Sequence, residues 1–300
     1  MRTVYLGTTD FAATVLERLA AGAHRPTLVI TRPDRPAGRG RRLQSPPVAD
    51  AARVLDIALE QPQSVNDEDA RERIAAARPE AVCICAFGAL IKDPLLADHA
   101  WFNVHPSLLP RWRGAAPIER AIDAGDELTG VSIMRPVAEM DAGPVCLAGD
   151  EPIGPGDDYG SLAGRLSELA GELLVQALDE LPPFREQPAE GVTLADKIAP
   201  EDRRLDAARW SAVAVGRRVR ALNPHVGAYV ELGEERLGVR RAAAVVDDVP
   251  PGVPVARDGR LLIGCREGAI ELIEVQPAGG RPMPAGDYLR GRGKSLVRAG

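Results

Sequence analysis

The apolar positions of this chain change period along its length, and the change divides the chain in two. Up to about residue 185, short apolar runs alternate with segments whose apolar residues recur at helical spacing. Arg2–Leu6 and Thr27–Thr31 read as strands, as do the short run Ile57–Leu59 and Phe102–His105. Gly130–Arg135 and Pro144–Ala148 read the same way. Ala81–Ala86 is apolar throughout, as expected of a central parallel strand covered on both faces. Between these runs lie helical segments: Asp10 to Ala21 with Asp10 as its cap, Pro46–Leu55, Asp67–Ala77, Ala116–Ala124 and the long amphipathic stretch Tyr159–Leu181. This alternation predicts an α/β fold, a doubly wound, Rossmann-like, mostly parallel sheet with helices on both faces. A ligand site is then expected at the C-terminal ends of the strands.

The pattern changes after Leu181-Pro182-Pro183, which stops the last long helix. Glu186 to Asp206 reads as an extended connection, followed by one more helix over Ala207–Leu222. Five β-like runs then follow with Gly or Pro between them: Ala228–Leu232, Leu237–Val246, Val253–Ala256, Leu261–Cys265 and Ala269–Val275. That spacing predicts a small β-barrel of the OB-like, oligonucleotide-binding type. The expected organisation is therefore a Rossmann-like domain over 1–186, a linker over 187–206 and a C-terminal OB-like domain over 207–300.

Composition narrows the class. The 300 residues are 45% hydrophobic and 27% charged, which excludes a disordered or fibrous chain. No apolar run is long enough for a membrane span, and the N-terminus has no signal-peptide layout, so a cytoplasmic protein is expected. Cys83, Cys85, Cys146 and Cys265 show no metal-ligand spacing; Cys83 and Cys85 share one face of a strand and read as buried thiols. His24, His99 and His225 read as surface residues. The absence of a G-x-G-x-x-G turn argues against a nicotinamide cofactor. No assembly surface is evident, so a monomer is the default.

The net charge of −6 argues against a dedicated nucleic-acid binder, yet the basic residues are unevenly spread. Arg32 to Arg42 holds five Arg and one Asp, a local charge of +4. Gly38, Gly40 and two prolines in this stretch argue against regular structure. Guanidinium groups suit phosphates and stacked bases. Arg217, Arg218 and Arg220 share the predicted helix of the second domain, with Arg217 and Arg220 neighbours at i, i+3. Arg281, Arg290, Arg292, Lys294 and Arg298 crowd the C-terminus.

The densest chemistry lies in Phe102-Asn103-Val104-His105-Pro106-Ser107-Leu108-Leu109-Pro110-Arg111-Trp112-Arg113-Gly114. Asn103 and His105 sit two apart on a strand, so they share one face near its C-terminal end. Met140-Asp141-Ala142-Gly143 lies between two later strands, and a carboxylate there could orient and charge a histidine. Spacing alone leaves the pairing of His105 with Asp141 open, and Asp141 could equally be a turn residue.

Taken together, Asn103, His105, Ser107-Leu108-Leu109-Pro110 and Asp141 closely resemble the active-site set of the 10-formyltetrahydrofolate-dependent formyltransferases. The resemblance implies that Asn103 and His105 bond the formyl oxygen as it becomes an oxyanion. It implies that Asp141 holds His105 protonated and helps to move the proton lost by the attacking amine. Ser107, Leu108, Leu109 and Pro110 would contact tetrahydrofolate, as would the stretch Phe87, Gly88, Ala89 and Leu90. No metal is implied.

Three stretches resemble members whose acceptor is the methionyl group of initiator tRNA. They are Leu6-Gly7-Thr8-Thr9-Asp10-Phe11-Ala12, the basic stretch Thr31 to Leu43, and Val275-Gln276-Pro277-Ala278-Gly279 with Arg220-Ala221-Leu222-Asn223-Pro224. Thr9 stands where the family usually has Pro. On this resemblance Arg35, Arg39, Arg41 and Arg42, with Arg217 and Arg220, would contact tRNA. Family members with a sugar-nucleotide amine or glycinamide ribonucleotide as acceptor are the alternative, but a small acceptor needs neither the basic loop nor the barrel. A catalytically dead RNA-binding relative is a further alternative, against which the full set Asn103, His105 and Asp141 speaks.

Overall fold

The computed structural model describes residues 1–37, 42–291 and 298–299. In chain order the elements are β1 (Thr3–Gly7), α1 (Asp10–Ala20), β2 (Pro26–Ile30), β3 (Arg35–Ala37), β4 (Arg42–Gln44), α2 (Pro47–Val54), β5 (Ala58–Glu60), α3 (Glu68–Ala76), β6 (Ala81–Cys85), α4 (Leu95–Asp98), β7 (Trp101–His105) and β8 (Arg113–Gly114). There follow α5 (Pro117–Ala124), β9 (Leu128–Met134), β10 (Val145–Pro152), α6 (Tyr159–Glu180), β11 (Leu194–Ala195), a 3₁₀ turn at Pro200–Arg203 and α7 (Ala212–Leu222). The last elements are β12 (Ala228–Leu232), β13 (Glu235–Val245), β14 (Pro254–Arg257), β15 (Arg260–Gly264), β16 (Ala269–Pro277), β17 (Met283–Pro284), α8 (Ala285–Arg290) and β18 (Arg298–Ala299).

The chain divides into two compact units. One comprises Met1–Gly114, Leu128–Pro152 and Ala163–Ala195; the other comprises Ala115–Glu127, Ile153–Leu162 and Asp196–Gly300.

In the first unit a seven-stranded sheet runs β10-β9-β7-β6-β1-β2-β5. The pairs β2·β5, β1·β2, β1·β6 and β6·β7 are parallel, whereas β9 runs antiparallel to both β7 and β10. The chain starts at β1, moves out through β2 to β5, then returns to the other side of β1 through β6. The strand order therefore reverses between β1 and β6, where α/β sheets open a crevice at their C-terminal edge. β1 and β6 are buried at every position, which is why their sequences carry no alternation. Burial pushes the Cys83 and Cys85 thiols up to about 12.

Three expectations for this unit need correction. The cap of α1 is Thr9, whose extended backbone lets its hydroxyl accept from the Ala12 amide; Asp10 is instead the first helical residue, placed favourably in the helix field. The basic stretch does form strands: β3 and β4 pair antiparallel, with Pro36 opposite Leu43. A two-stranded ribbon has free edges, where a proline's missing N–H costs little. His24 is not on the surface. It is 5% exposed, with Nδ1 at 2.7 Å from the Met1 amine and Nε2 at 2.7 Å from Asp179.

The second unit holds a sheet ordered β12-β13-β16-β15-β14-β18, with β17 added beside β16. Its pairings are antiparallel except β14·β18. β13 and β16, of 11 and nine residues, are longer than the sequence runs suggest. Register shifts at Val239/Arg241 and Arg241/Ala242 interrupt the β13·β16 ladder, as bulges do in strands that bend. α7 begins at Ala212 rather than Ala207, because Ser211 caps it through the Ala214 amide. The Ala207 and Trp210 carbonyls are instead taken by the Arg266 amide. α7 buries Val215, Val219 and Leu222 in a core shared with Leu237, Val239, Leu261 and Ile270.

Candidate active site

Asn103 and His105 lie on β7 opposite Met134 and Ser132 of β9, so the alternation of the strand turns both to one face. Asn103 Nδ2 lies 3.4 Å from the Met134 sulfur, a weak partner that leaves the amide available. His105 is nearly enclosed. Its Nε2 lies 2.9 Å from the Trp112 carbonyl, which can only accept, so Nε2 carries a proton. Its Nδ1 faces Asp141 Oδ2 at 3.6 Å. The same Oδ2 accepts from the Gly114 amide at 2.9 Å. The imidazole thus stands between a carbonyl and a carboxylate. Asp141 comes from the turn between β9 and β10 and joins a histidine 36 positions earlier in the chain.

The loop after β7 is built to hold this geometry. Ser107 is fully buried and donates its hydroxyl to the Arg111 carbonyl at 2.6 Å, closing the turn. Ser132 is spent on the same loop: it donates to the Ser107 carbonyl at 2.7 Å and accepts from the Leu109 amide at 3.1 Å. Leu108, Leu109 and Pro110 are half-buried. The stretch after β6 leaves the sheet beside this loop, since Cys85 pairs with Val104. In that stretch Phe87 is buried in the core, whereas Gly88, Ala89 and Leu90 are exposed. Thr8, after β1, ties it down by donating to the Phe87 carbonyl at 2.9 Å.

The sequence reading did not single out five groups that touch this arrangement. Arg32, two residues beyond β2, lies against Gly88: a Cβ there would sit 2.9 Å from its guanidinium. Trp112 and Gly114 lay within the dense motif but carried no assigned role. Gln187 donates to the Asp141 and Gly143 carbonyls, each at 2.7 Å. Thr193 Oγ1 accepts from the Trp112 amide at 2.9 Å. Gln187 and Thr193 lie in a polar stretch with no period, so no sequence signal marks them.

The basic residues fall in both units. Arg35 and Arg42 are exposed on the β3·β4 ribbon, while Arg39 and Arg41 lie outside the described residues. In the second unit, Arg217 donates to the Ala124 carbonyl at 3.3 Å and Arg220 to the Asp157 carbonyl at 2.6 Å. Arg220 is held below its ordinary value, first by burial and then by the neighbouring Arg217. Arg218 makes a two-pronged pair with Asp123 at 2.6 and 2.7 Å.

Comparison with known proteins identifies the family. The formyl transferase family model matches residues 1–178, and the model of the formyl transferase C-terminal domain matches residues 197–293. The chain belongs to the formyl transferase family. A methionyl-tRNA formyltransferase of Clavibacter sepedonicus is 43% identical over 298 residues, covering 97% of each chain. One from Aromatoleum aromaticum is 39% identical over 300 residues, covering 97% of this chain and 94% of its own. Among solved structures of the formyl transferase fold, the methionyl-tRNA formyltransferase of Clostridium thermocellum superposes with a TM-score of 0.59 at 14% identity. That match covers 82% of this chain and 94% of the other.

Proposed function

We propose that this enzyme transfers the formyl group of 10-formyltetrahydrofolate to the α-amino group of methionyl initiator tRNA. The observation that carries the chemistry is the imidazole of His105 held between the Trp112 carbonyl and the Asp141 carboxylate, with Asn103 on the same strand face. The acceptor is supported by relatives of that activity at 39% and 43% identity over 97% of the chain.

The amine attacks the formyl carbon, and the formyl oxygen gains charge. The Asn103 amide is the donor for that oxygen, preorganised by the strand and therefore needing little reorganisation, while His105, with Nε2 bonded to the Trp112 carbonyl and Nδ1 facing Asp141, supplies positive charge beside it. Asp141 balances positive charge on the imidazole and accepts the proton that the amine loses. As the tetrahedral carbon collapses, the C–N bond to the folate breaks and the folate nitrogen takes up the proton that Asp141 received, which restores the carboxylate. Ser107, Leu108, Leu109 and Pro110, with Phe87, Gly88, Ala89 and Leu90, form the two adjacent loops on which the flat pterin would rest. Ser107 and Phe87 shape those loops from within.

For tRNA, the reading uses Arg35, Arg39, Arg41 and Arg42 of the basic stretch and Arg217 and Arg220 of the second unit. Residues 1–186 would then form the catalytic domain, 187–206 the connection and 207–300 a tRNA-contacting domain. No helix among the described residues is long and apolar enough to cross a membrane. The reading places the enzyme in the cytoplasm, acting as a monomer. The test is His105→Ala, assayed for formyl transfer and separately for folate binding. Turnover should fall by at least about 100-fold with folate still bound; near-normal turnover rules out this mechanism.

A further inference from the structure

Of the non-glycine residues with left-handed backbone, two belong to the site: Trp112, with φ +63°, and Asp141, with φ +49°. Asp tolerates this conformation better than most residues, but a bulky residue such as Trp112 adopts it only where its surroundings hold it there. Both are held by one stretch of chain. Gln187 donates through Nε2 to the carbonyl of Asp141 itself and to that of Gly143, each at 2.7 Å. Its Oε1 accepts from Arg113 Nε at 3.0 Å, which fixes the direction of the amide. Six residues on, Thr193 Oγ1 accepts from the Trp112 amide at 2.9 Å. The Thr193 carbonyl takes the Arg113 amide at 3.0 Å, and β11 pairs with β8 in parallel. That pairing places the Ala195 carbonyl 2.6 Å from where a Cβ of Gly114 would be, and Gly114 is the residue whose amide holds Asp141.

We propose that the stretch 187–195 is part of the catalytic apparatus, with Gln187 and Thr193 as positioning residues for the reaction. Gln187 fixes the turn that presents Asp141. Thr193 fixes Trp112, whose carbonyl fixes the proton on His105 Nε2 and so leaves Nδ1 facing Asp141. Gln187 bonds the backbone of Asp141 and Gly143, and Thr193 bonds the backbone of Trp112, the partner of His105. The stretch 187–195 is thus a strap that, through backbone atoms of both loops, governs the 3.6 Å between Nδ1 and Oδ2. Such outer contacts govern how well a reacting constellation is oriented, not how tightly substrate is held. This inference rests on the functional reading above.

The test compares Thr193→Val, Thr193→Ser and Gln187→Leu with the full wild-type chain in steady-state formyl transfer. Val keeps the shape of Thr but loses the acceptor oxygen; Ser keeps the oxygen. Thr193→Val and Gln187→Leu should each lower kcat by about 10–100-fold, with KM for folate and tRNA within about threefold of wild type. Thr193→Ser should return kcat to within about threefold. Melting temperatures report folding, and Gln187→Leu carries the test should Thr193→Val not fold. Wild-type transfer with unchanged kcat in the variants overturns the positioning role alone. A fall in kcat that Ser does not rescue, or that comes with an equal rise in KM, also overturns it. Absence of transfer by the wild-type chain overturns the functional reading and the inference with it.

Discussion

Asp141→Asn isolates one term of the proposed chemistry. Asn is close in shape and keeps an oxygen for the Gly114 amide, so the turn and its hydrogen bond at 2.9 Å are retained. What disappears is the negative charge 3.6 Å from His105 Nδ1. At that distance a unit charge pair is worth about 1 kcal/mol in water and about 4–5 kcal/mol at an effective dielectric of ~20. The side chains of His105 and Asp141 are only 5% and 17% exposed, which places the pair toward the second figure. Each ~1.4 kcal/mol is a factor of ten in rate, so the account predicts a fall in kcat of about 10²–10³-fold. Single-turnover formyl transfer at saturating folate and charged tRNA measures it directly, with thermal unfolding as the control for folding. A single-turnover rate within about threefold of wild type, with an unchanged melting temperature, would refute the assignment of charge stabilisation to Asp141.

Other outcomes follow from the same geometry. Ser132→Ala removes the partner of the Leu109 amide and the Ser107 carbonyl; it should cost about 1–3 kcal/mol in denaturant unfolding and raise KM for folate, and unchanged values for both would contradict its role as the tie of this loop. Gly114→Ala meets a positive φ of +130° and the Ala195 carbonyl at once, so it should lower both stability and kcat; a wild-type profile would contradict the close approach of strap and loop. Burial pushes the Asp202 carboxyl up, but the Ala199 amide and the guanidinium groups of Arg120 and Arg218 outweigh it and hold the group below its usual value. That stabilisation is complete above the ordinary carboxylate range near pH 4 and is lost as pH falls through the lowered value, so Asp202→Asn should flatten the acid limb of the unfolding curve, and an unaltered limb would contradict it. Replacing Arg35 and Arg42 by Ala should make the salt dependence of tRNA binding shallower by about one unit of slope per arginine; an unchanged slope would remove the ribbon from the tRNA contact.

Much of the fold was legible because periodicity reports burial. The uniformly apolar Ala81–Ala86 reads as a strand covered on both faces, and β6, which ends one residue earlier at Cys85, is buried throughout. Asn103 and His105 were legible as a pair because strand alternation brings positions two apart to one face. Their partner was not, since nothing local links Asp141 to a histidine in another loop; the family resemblance supplied that link. Gln187 and Thr193 were invisible for a different reason. Their contacts are hydrogen bonds to loop backbone, which impose no hydrophobic period and use residue types common in any polar connection. His24 misled because its setting in sequence is polar, whereas the fold buries it and brings Asp179 and the Met1 amine to its ring as partners. The basic stretch misled because a proline such as Pro36 counts against a strand only where a second neighbour must pair, and a two-stranded ribbon leaves an edge free.

The central claim is the identity of donor and acceptor, and one measurement tests both. Wild-type enzyme with 10-formyltetrahydrofolate is given charged initiator tRNA, the same tRNA uncharged, free methionine, or an amino-sugar nucleotide, and N-formyl product is quantified. The account predicts product with the charged initiator tRNA and background elsewhere. Formylation of the amino sugar, with none on the charged tRNA, would contradict it.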